Sequence, residues 1–101
     1  MNKLRRKELG EVINGLMSMQ DKDDLRGWIR TLDCLKDEEE DYFGNIPENL
    51  QYSRRAEKSE EAIEILDDAL DVLNEFYDKD EFDKDDELIQ KAIDKIEEAR
   101  W

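Results

Sequence analysis

The fold is decided by residues 53–77, which read SRRAEKSEEAIEILDDALDVLNEFY. Apolar side chains recur in this stretch every three or four positions, which is the spacing of one face of an α-helix. The series comprises Ala62, Leu66, Ala69, Leu73 and Phe76, with Ile63, Ile65, Leu70 and Val72 beside it. Because so wide an apolar face can contact more than one neighbour, the stretch is predicted to be a helix that packs against more than one other helix of a bundle.

A second series on this stretch consists only of acidic residues, and we call it the acidic row. Its members are Glu57, Glu61, Glu64, Asp68, Asp71, Glu75 and Asp78. On a helix Glu64 lies about 200° from Ala62, so the row is predicted to face solvent when the apolar series faces the core. At about 1.5 Å of rise per residue, the row is roughly 30 Å long.

The preceding helix is predicted at residues 24–43. Its inward series is Leu25, Trp28, Leu32, Leu35, Glu39, Tyr42 and Ile46. Cys34 lies beside this series and is expected to be a small core residue. Gly44 is predicted to cap the helix, and Pro47 cannot continue it, so a turn follows. Ile46 and Leu50 are expected to pack beneath that turn.

Two further helices are predicted at residues 3–18 and 86–99, each with apolar residues at helical spacing. The step from Leu16 to Leu25 is nine residues, which puts the two apolar faces about half a turn out of phase. A break near residues 19–24 is therefore expected, with a continuous but kinked helix as the alternative.

Together these segments predict an all-α fold, a three- to four-helix bundle in a single domain over residues 1–101. The bundle is built on a helical hairpin closed by the turn at Pro47. Because 46% of the 101 residues are charged, little apolar area is left to bury, and a homodimer is expected. The surplus apolar residues of the helix at 53–77 support this expectation.

The charge of the chain is both large and uneven. The formal net charge is −14, and all of the excess follows position 36, since residues 1–36 carry a net +2 and residues 37–101 a net −16. Such a chain repels nucleic acid and anionic membrane surfaces, so neither is expected as a direct partner. A basic protein surface is the expected partner. Without an apolar run of membrane-spanning length or a signal-peptide pattern, a cytoplasmic location is expected.

The composition argues against catalysis and against a cofactor or metal site. The chain has no histidine, the commonest general base and transition-metal ligand, and its one cysteine cannot form an internal disulfide. The connector at residues 78–83 begins like a calcium loop but has Phe82 at a ligand position and no glycine, so it does not match that motif. The protein is therefore predicted to be no enzyme, with no cofactor or metal.

Two other charged segments have alternative interpretations. A second acidic cluster is expected to extend the acidic row and comprises Asp37, Glu38, Glu40 and Asp41. Both acidic groups could instead be a face that only keeps the protein soluble. The basic residues in segment 3–7 either contact a phosphate or nucleotide or pair with the acidic remainder. Trp101 either packs back on the bundle or is an exposed contact residue.

The run EEEDYFGNIPENLQ at residues 38–51, with the SRR that starts at Ser53 and the EEAI at residues 60–63, carries a resemblance. It resembles small helical proteins encoded by phages and mobile elements of Gram-positive bacteria. The resemblance covers about residues 3–75, and its distinctive part is the NIPENLQ at residues 45–51. It implies an accessory protein that acts on a host system.

These observations favour a non-catalytic protein that docks on a basic surface of a host protein, as a nucleic-acid-mimicking inhibitor of a defence or nucleic-acid-processing system. One alternative is a structural module that assembles with itself. Another is a binder that sequesters a small nucleotide near Arg5 and Arg6. Only the first of these three interpretations gives the acidic row a part in binding.

Overall fold

The computed structural model describes residues 2–50, 52–83 and 85–100, so Trp101 lies outside the described residues. Its four helices are α1 (Lys3–Ser18), α2 (Lys22–Gly44), α3 (Arg54–Tyr77) and α4 (Glu87–Ala99), with one 3-10 turn at Glu48–Leu50. The predicted all-α bundle on an α2–α3 hairpin is confirmed. Its extents of 49 × 21 × 18 Å describe an elongated molecule, because the two longest helices run along one axis.

The wide apolar face of α3 packs against more than one neighbour, as its sequence predicts. It contacts α2 on one side and α4 on the other, while α1 completes the bundle against α2 and α4. Ala62 and Ala69 are buried, and Leu70 and Val72, at the edges of the apolar face, are buried too. Most of the surplus apolar residues of α3 are thus covered within one chain, while Ile63 and Ile65 are half-buried. The homodimer stays a prediction, and the apolar surplus that supported it is smaller than expected.

Side-chain caps fix where the helices begin, because the first N–H groups of a helix lack partners within it. The side chains of Asn2, Asp21, Ser53 and Asp86 each accept a hydrogen bond from a backbone N–H of the following turn. The cap at Asp21 confirms the expected break, which spans residues 19–21, and the alternative of one kinked helix is wrong.

Three local predictions from the sequence are corrected by the structure. Asn45, not Gly44, is the C-cap of α2, with φ −96° and its side-chain amide donating to the Asp41 carbonyl at 2.8 Å. Leu50 is 49% exposed while Ile46 is half-buried, and the turn is closed by backbone hydrogen bonds from the Leu50 N–H to the Pro47 carbonyl and from the Ser53 N–H to the Leu50 carbonyl. Cys34 is exposed, since it lies about 200° round the helix from Leu32 and faces away from the core.

The helices α1 and α2 approach each other closely at Gly15. A Cβ atom built on Gly15 would lie 2.0 Å from the indole of Trp28, a distance that no real contact allows. Trp28 is half-buried and packs against the core at this point. The glycine that weakens α1 as an isolated helix is thus what allows α1 to dock on α2.

A buried polar network joins α1, α2 and α3. The Glu39 side chain is fully buried, and its Oε2 accepts a hydrogen bond from Arg5 Nε at 2.8 Å. Its Oε1 accepts from the hydroxyl of Ser59 at 2.9 Å, and Ser59 is buried as well. The guanidinium of Arg5 also lies 5.5 Å from the ring centroid of Tyr42. The acidic residue in the inward series of α2 is therefore a satisfied core residue.

The connector before α4 is held by charge and by aromatic packing. Lys79 Nζ lies 2.6 Å from Asp86 Oδ2, and the Asp86 side chain also accepts from the Leu88 N–H. The hydrogen bond from Lys79 and, to a smaller extent, the one from the Leu88 N–H lower the pKa of the Asp86 carboxyl below its ordinary 3.8. Asp86 therefore stabilises the fold at pH values above 3.8, where it is ionised, and this stabilisation is lost as the pH falls through the lowered pKa. Phe82 packs edge-on against Phe76, with ring centroids 5.6 Å apart.

We expect Gly15→Ala to destabilise the protein by about 1–3 kcal/mol, because the added methyl group has to displace the indole of Trp28. The matched control is Gly27→Ala in α2, where an added Cβ meets nothing within 4 Å. That change should stabilise the protein by up to about 1 kcal/mol through helix propensity. Urea unfolding followed by circular dichroism measures both. Equal stabilisation by the two alanines would contradict the close contact.

We expect Arg5→Ala to cost about 3–5 kcal/mol of unfolding free energy, because it removes the guanidinium that pairs with the buried Glu39 carboxylate. The neighbouring exposed residue provides the control, and Arg6→Ala should change the unfolding free energy by no more than about 0.5 kcal/mol. The combined replacement Arg5→Met, Glu39→Met and Ser59→Ala should recover much of the loss, since it removes the buried charges together. A loss with Arg6→Ala as large as with Arg5→Ala would refute the assignment.

Candidate binding surface

The acidic row lies on one unbroken helix and faces solvent. Six of its members are within α3, and the seventh, Asp78, is the residue that caps its C-terminus. All seven side chains are exposed, whereas the opposite face of α3 is buried against α2 and α4. The predicted placement of the row follows directly from the helical spacing.

Few cations of the protein neutralise the row. Within the described ranges, no lysine or arginine nitrogen lies within 4.0 Å of Glu57, Glu64 or Asp71. Glu61 has Lys58 at 3.8 Å, and Asp68 has Lys95 of α4 at 3.9 Å. Exposed pairs at such distances are worth about 0–1 kcal/mol and are screened by salt, so the row keeps most of its negative potential.

The second acidic cluster joins the row only in part. Its four residues are exposed, but consecutive positions turn by about 100°, so they leave α2 in different directions. With Glu39 pointing inward, Glu40 lies on the flank that faces α3 and Glu38 on the opposite flank. Asp37 and Asp41 point outward, away from the core. The structure thus brings Glu40 to the edge of the α3 surface and turns Glu38 away from it.

A lysine of α2 marks the boundary between the two acidic groups. Lys36 Nζ lies 3.0 Å from Asp67 Oδ1 of α3 and 3.8 Å from Glu40 Oε1. The hydrogen bond to Asp67 raises the pKa of the Lys36 ammonium above its ordinary 10.5, so this cation is present throughout the neutral range. One positive charge therefore lies between the two acidic groups and makes the negative electrostatic potential weaker at this point.

Sequence reasoning missed two exposed acidic residues of α3 that widen the surface. Glu60 and Asp67 lie one turn before and after members of the row, on the side that faces α2. The signal was available, because Asp67 is three residues after Glu64 and four before Asp71. The sequence analysis followed a single acidic residue in each helical turn, and it therefore missed this second line of carboxylates beside the row.

One of the two arginines on which the nucleotide alternative depends is not available to a ligand. Arg5 is buried and paired with Glu39, so its guanidinium faces the core instead of a ligand. For Arg5, pairing with the acidic remainder of the chain is the interpretation that the structure confirms. Arg6 stays exposed on the surface of α1.

The described part of the structure holds neither a candidate metal cluster nor a candidate membrane-spanning helix. No group of three or more cysteine, aspartate or glutamate side chains there lies close enough together to hold a metal ion. No helix there has the length and apolarity needed to cross a membrane. The acidic surface of α3 is accordingly the leading candidate site.

Comparison with protein-family models, with curated proteins and with solved structures gave no match to this chain. The acidic surface of α3 must therefore be interpreted from its own geometry and charge.

We expect the double change Glu64→Gln and Asp71→Asn to raise the unfolding free energy by roughly 1 kcal/mol at low salt. Each change removes repulsion between carboxylates one turn apart, which costs about 0.2–0.5 kcal/mol per pair. The gain should vanish in about 1 M NaCl, where the screening length falls to about 3 Å. Thermal unfolding at the two salt concentrations tests this, and a gain that persists in high salt would show that repulsion is not its cause.

Proposed function

We propose that this protein is a non-catalytic binding protein that docks the acidic row on a basic surface of a host protein and so imitates nucleic acid. One observation carries the proposal, namely seven exposed carboxylates in line along one unbroken helix. A long negative line on a rigid support matches a groove shaped for a phosphate backbone better than it matches a small ligand.

The charge density of the row supports this comparison. Seven carboxylates over about 30 Å give roughly one negative charge per 4–5 Å, against about one per 3.4 Å along a single nucleic-acid strand. Glu60 brings the line still closer to a strand in density, whereas Asp67 is paired with Lys36. A basic groove that binds a strand would therefore be attracted by a comparable field.

The type of interface follows from what α3 exposes. The apolar face of α3 is buried against α2 and α4, so docking through α3 depends mainly on charge. Such association is fast because opposite potentials steer the encounter, and it weakens as salt is added. Tyr52, which is 92% exposed just before α3, is the aromatic side chain best placed to anchor one end.

The resemblance of the NIPENLQ run to phage and mobile-element proteins is consistent with the proposed function. An accessory protein of a phage or mobile element that occupies the groove of a host nucleic-acid-processing protein would act as an inhibitor. The inhibitor needs no catalytic residue of its own, because occupying the groove is sufficient.

The test is capture from bacterial lysate, comparing wild type with the triple reversal Glu64→Lys, Asp68→Lys and Asp71→Lys. We expect wild type to retain a basic nucleic-acid-binding protein at about 50 mM salt and to release it at higher salt, since such contacts lose affinity steeply over this range. Duplex or single-stranded nucleic acid should compete for the captured protein. The triple reversal should retain none of it.

The matched control carries the same change of charge off the row, with Glu11→Lys, Glu81→Lys and Asp94→Lys, all at exposed positions. This control should still bind. Equal loss of binding in both triple variants would show that only total charge matters, and undiminished binding by the row variant would end the proposal.

A further inference from the structure

A cleft between α2 and α3 has the opposite character to the acidic row. Its volume is about 400 Å³, and its lining comprises Arg26, Ile29, Arg30, Asn74 and Tyr77. Two arginines four residues apart on α2 thus face a wall formed by the last turn of α3. The proposed docking of the acidic row does not use this combination of two guanidinium groups, an aromatic ring and an aliphatic side chain.

Both arginines are available for an external anion. In a chain with 30 acidic residues, no described carboxylate lies within 4.0 Å of the guanidinium of Arg26 or Arg30. Asp23 and Asp33, one turn before Arg26 and one turn after Arg30, have no contact with them at that distance. Two like charges one turn apart repel each other, and an anion bound between them removes that repulsion.

A third cation of the same face is already occupied. Lys22, one turn before Arg26, donates from Nζ to the Lys79 carbonyl at 2.6 Å. The same ammonium lies 5.4 Å from the centroid of the Tyr77 ring, which fixes one side of the aromatic wall. Lys22 therefore contributes positive potential and orders Tyr77, while the two arginines keep their hydrogen-bond donors for a ligand.

We propose that this cleft binds a small oxyanion joined to a flat apolar body, with an aryl phosphate as the simplest representative. Guanidinium groups match the oxygens of a phosphate with paired donors, so Arg26 and Arg30 hold the anionic end. Tyr77 and Ile29 supply the apolar wall for the ring, since the volume far exceeds that of the anion alone. The amide of Asn74 gives a further polar contact at the rim.

The surroundings favour a small ligand over a polymer. Asn74 lies three residues after Asp71 and four before Asp78, so the end of the acidic row borders the cleft. A polyanion would have to extend across this negative surface, whereas a small anion fits between the arginines without meeting it. The ligand site is thus independent of the proposed partner of the row, and either can fail without the other.

The test is titration of the full chain with inorganic phosphate, phenyl phosphate and phenol, followed by amide and arginine Nε–Hε shifts in NMR spectra. We expect saturable shifts at residues 22–30 and 74–77, with phenyl phosphate binding about tenfold more tightly than inorganic phosphate. Phenol, which lacks the anion, should bind far more weakly than phenyl phosphate. Arg26→Gln or Arg30→Gln should weaken phenyl phosphate binding by about tenfold.

Two further variants make the result specific. Arg54→Gln with Arg55→Gln removes two exposed arginines from the start of α3 and should leave phenyl phosphate binding unchanged. Tyr77→Leu should abolish the preference for phenyl phosphate over inorganic phosphate while leaving phosphate binding in place. Shifts that fail to saturate, or that persist when Arg26 and Arg30 are both replaced, would overturn the proposal.

Discussion

The burial of the Glu39 carboxylate is the constraint on which the arrangement of the first three helices depends. A charge taken out of water has to be paired and hydrogen-bonded, and Arg5 of α1 and Ser59 of α3 both contribute to this for Glu39. Hydrogen bonds to a buried carboxylate require closer geometry than apolar contacts do. The network therefore fixes the register of α2 against both neighbours and, with it, which acidic residues of α2 lie beside α3.

The protein separates its charges into those used within the fold and those left to solvent. Glu39, Asp67 and Asp86 each contact a cation of the same chain at 3.0 Å or less. By contrast, Glu57, Glu64 and Asp71 have no described cation within 4.0 Å, although lysines are present on both neighbouring helices. Repulsion along the row works against the helix that carries it, so the stability of α3 depends on its two-sided burial.

Most of the fold could be predicted from the sequence because apolar spacing reports directly which face of a helix is buried. The extents of α3 and the break before α2 followed from spacing and phase alone. Gly44 and Leu50 were assigned wrongly because the surroundings of a residue within a turn depend on tertiary geometry. The outward direction of Cys34, about 200° from Leu32, follows from helical spacing, and that signal in the sequence was missed. For the candidate site, the row needed only one helix, whereas Lys36, Lys95 and the cleft at Arg26 involve neighbouring helices that spacing cannot place.

The exposure of Cys34 has a practical consequence. It is the one cysteine of the chain and lies on the outer surface of α2, away from the flank that packs on α3. A thiol-reactive dye or linker attached there would modify each molecule once and leave the carboxylates of α3 unobstructed. The protein can thus be immobilised in a single orientation, with its negative face presented to solution.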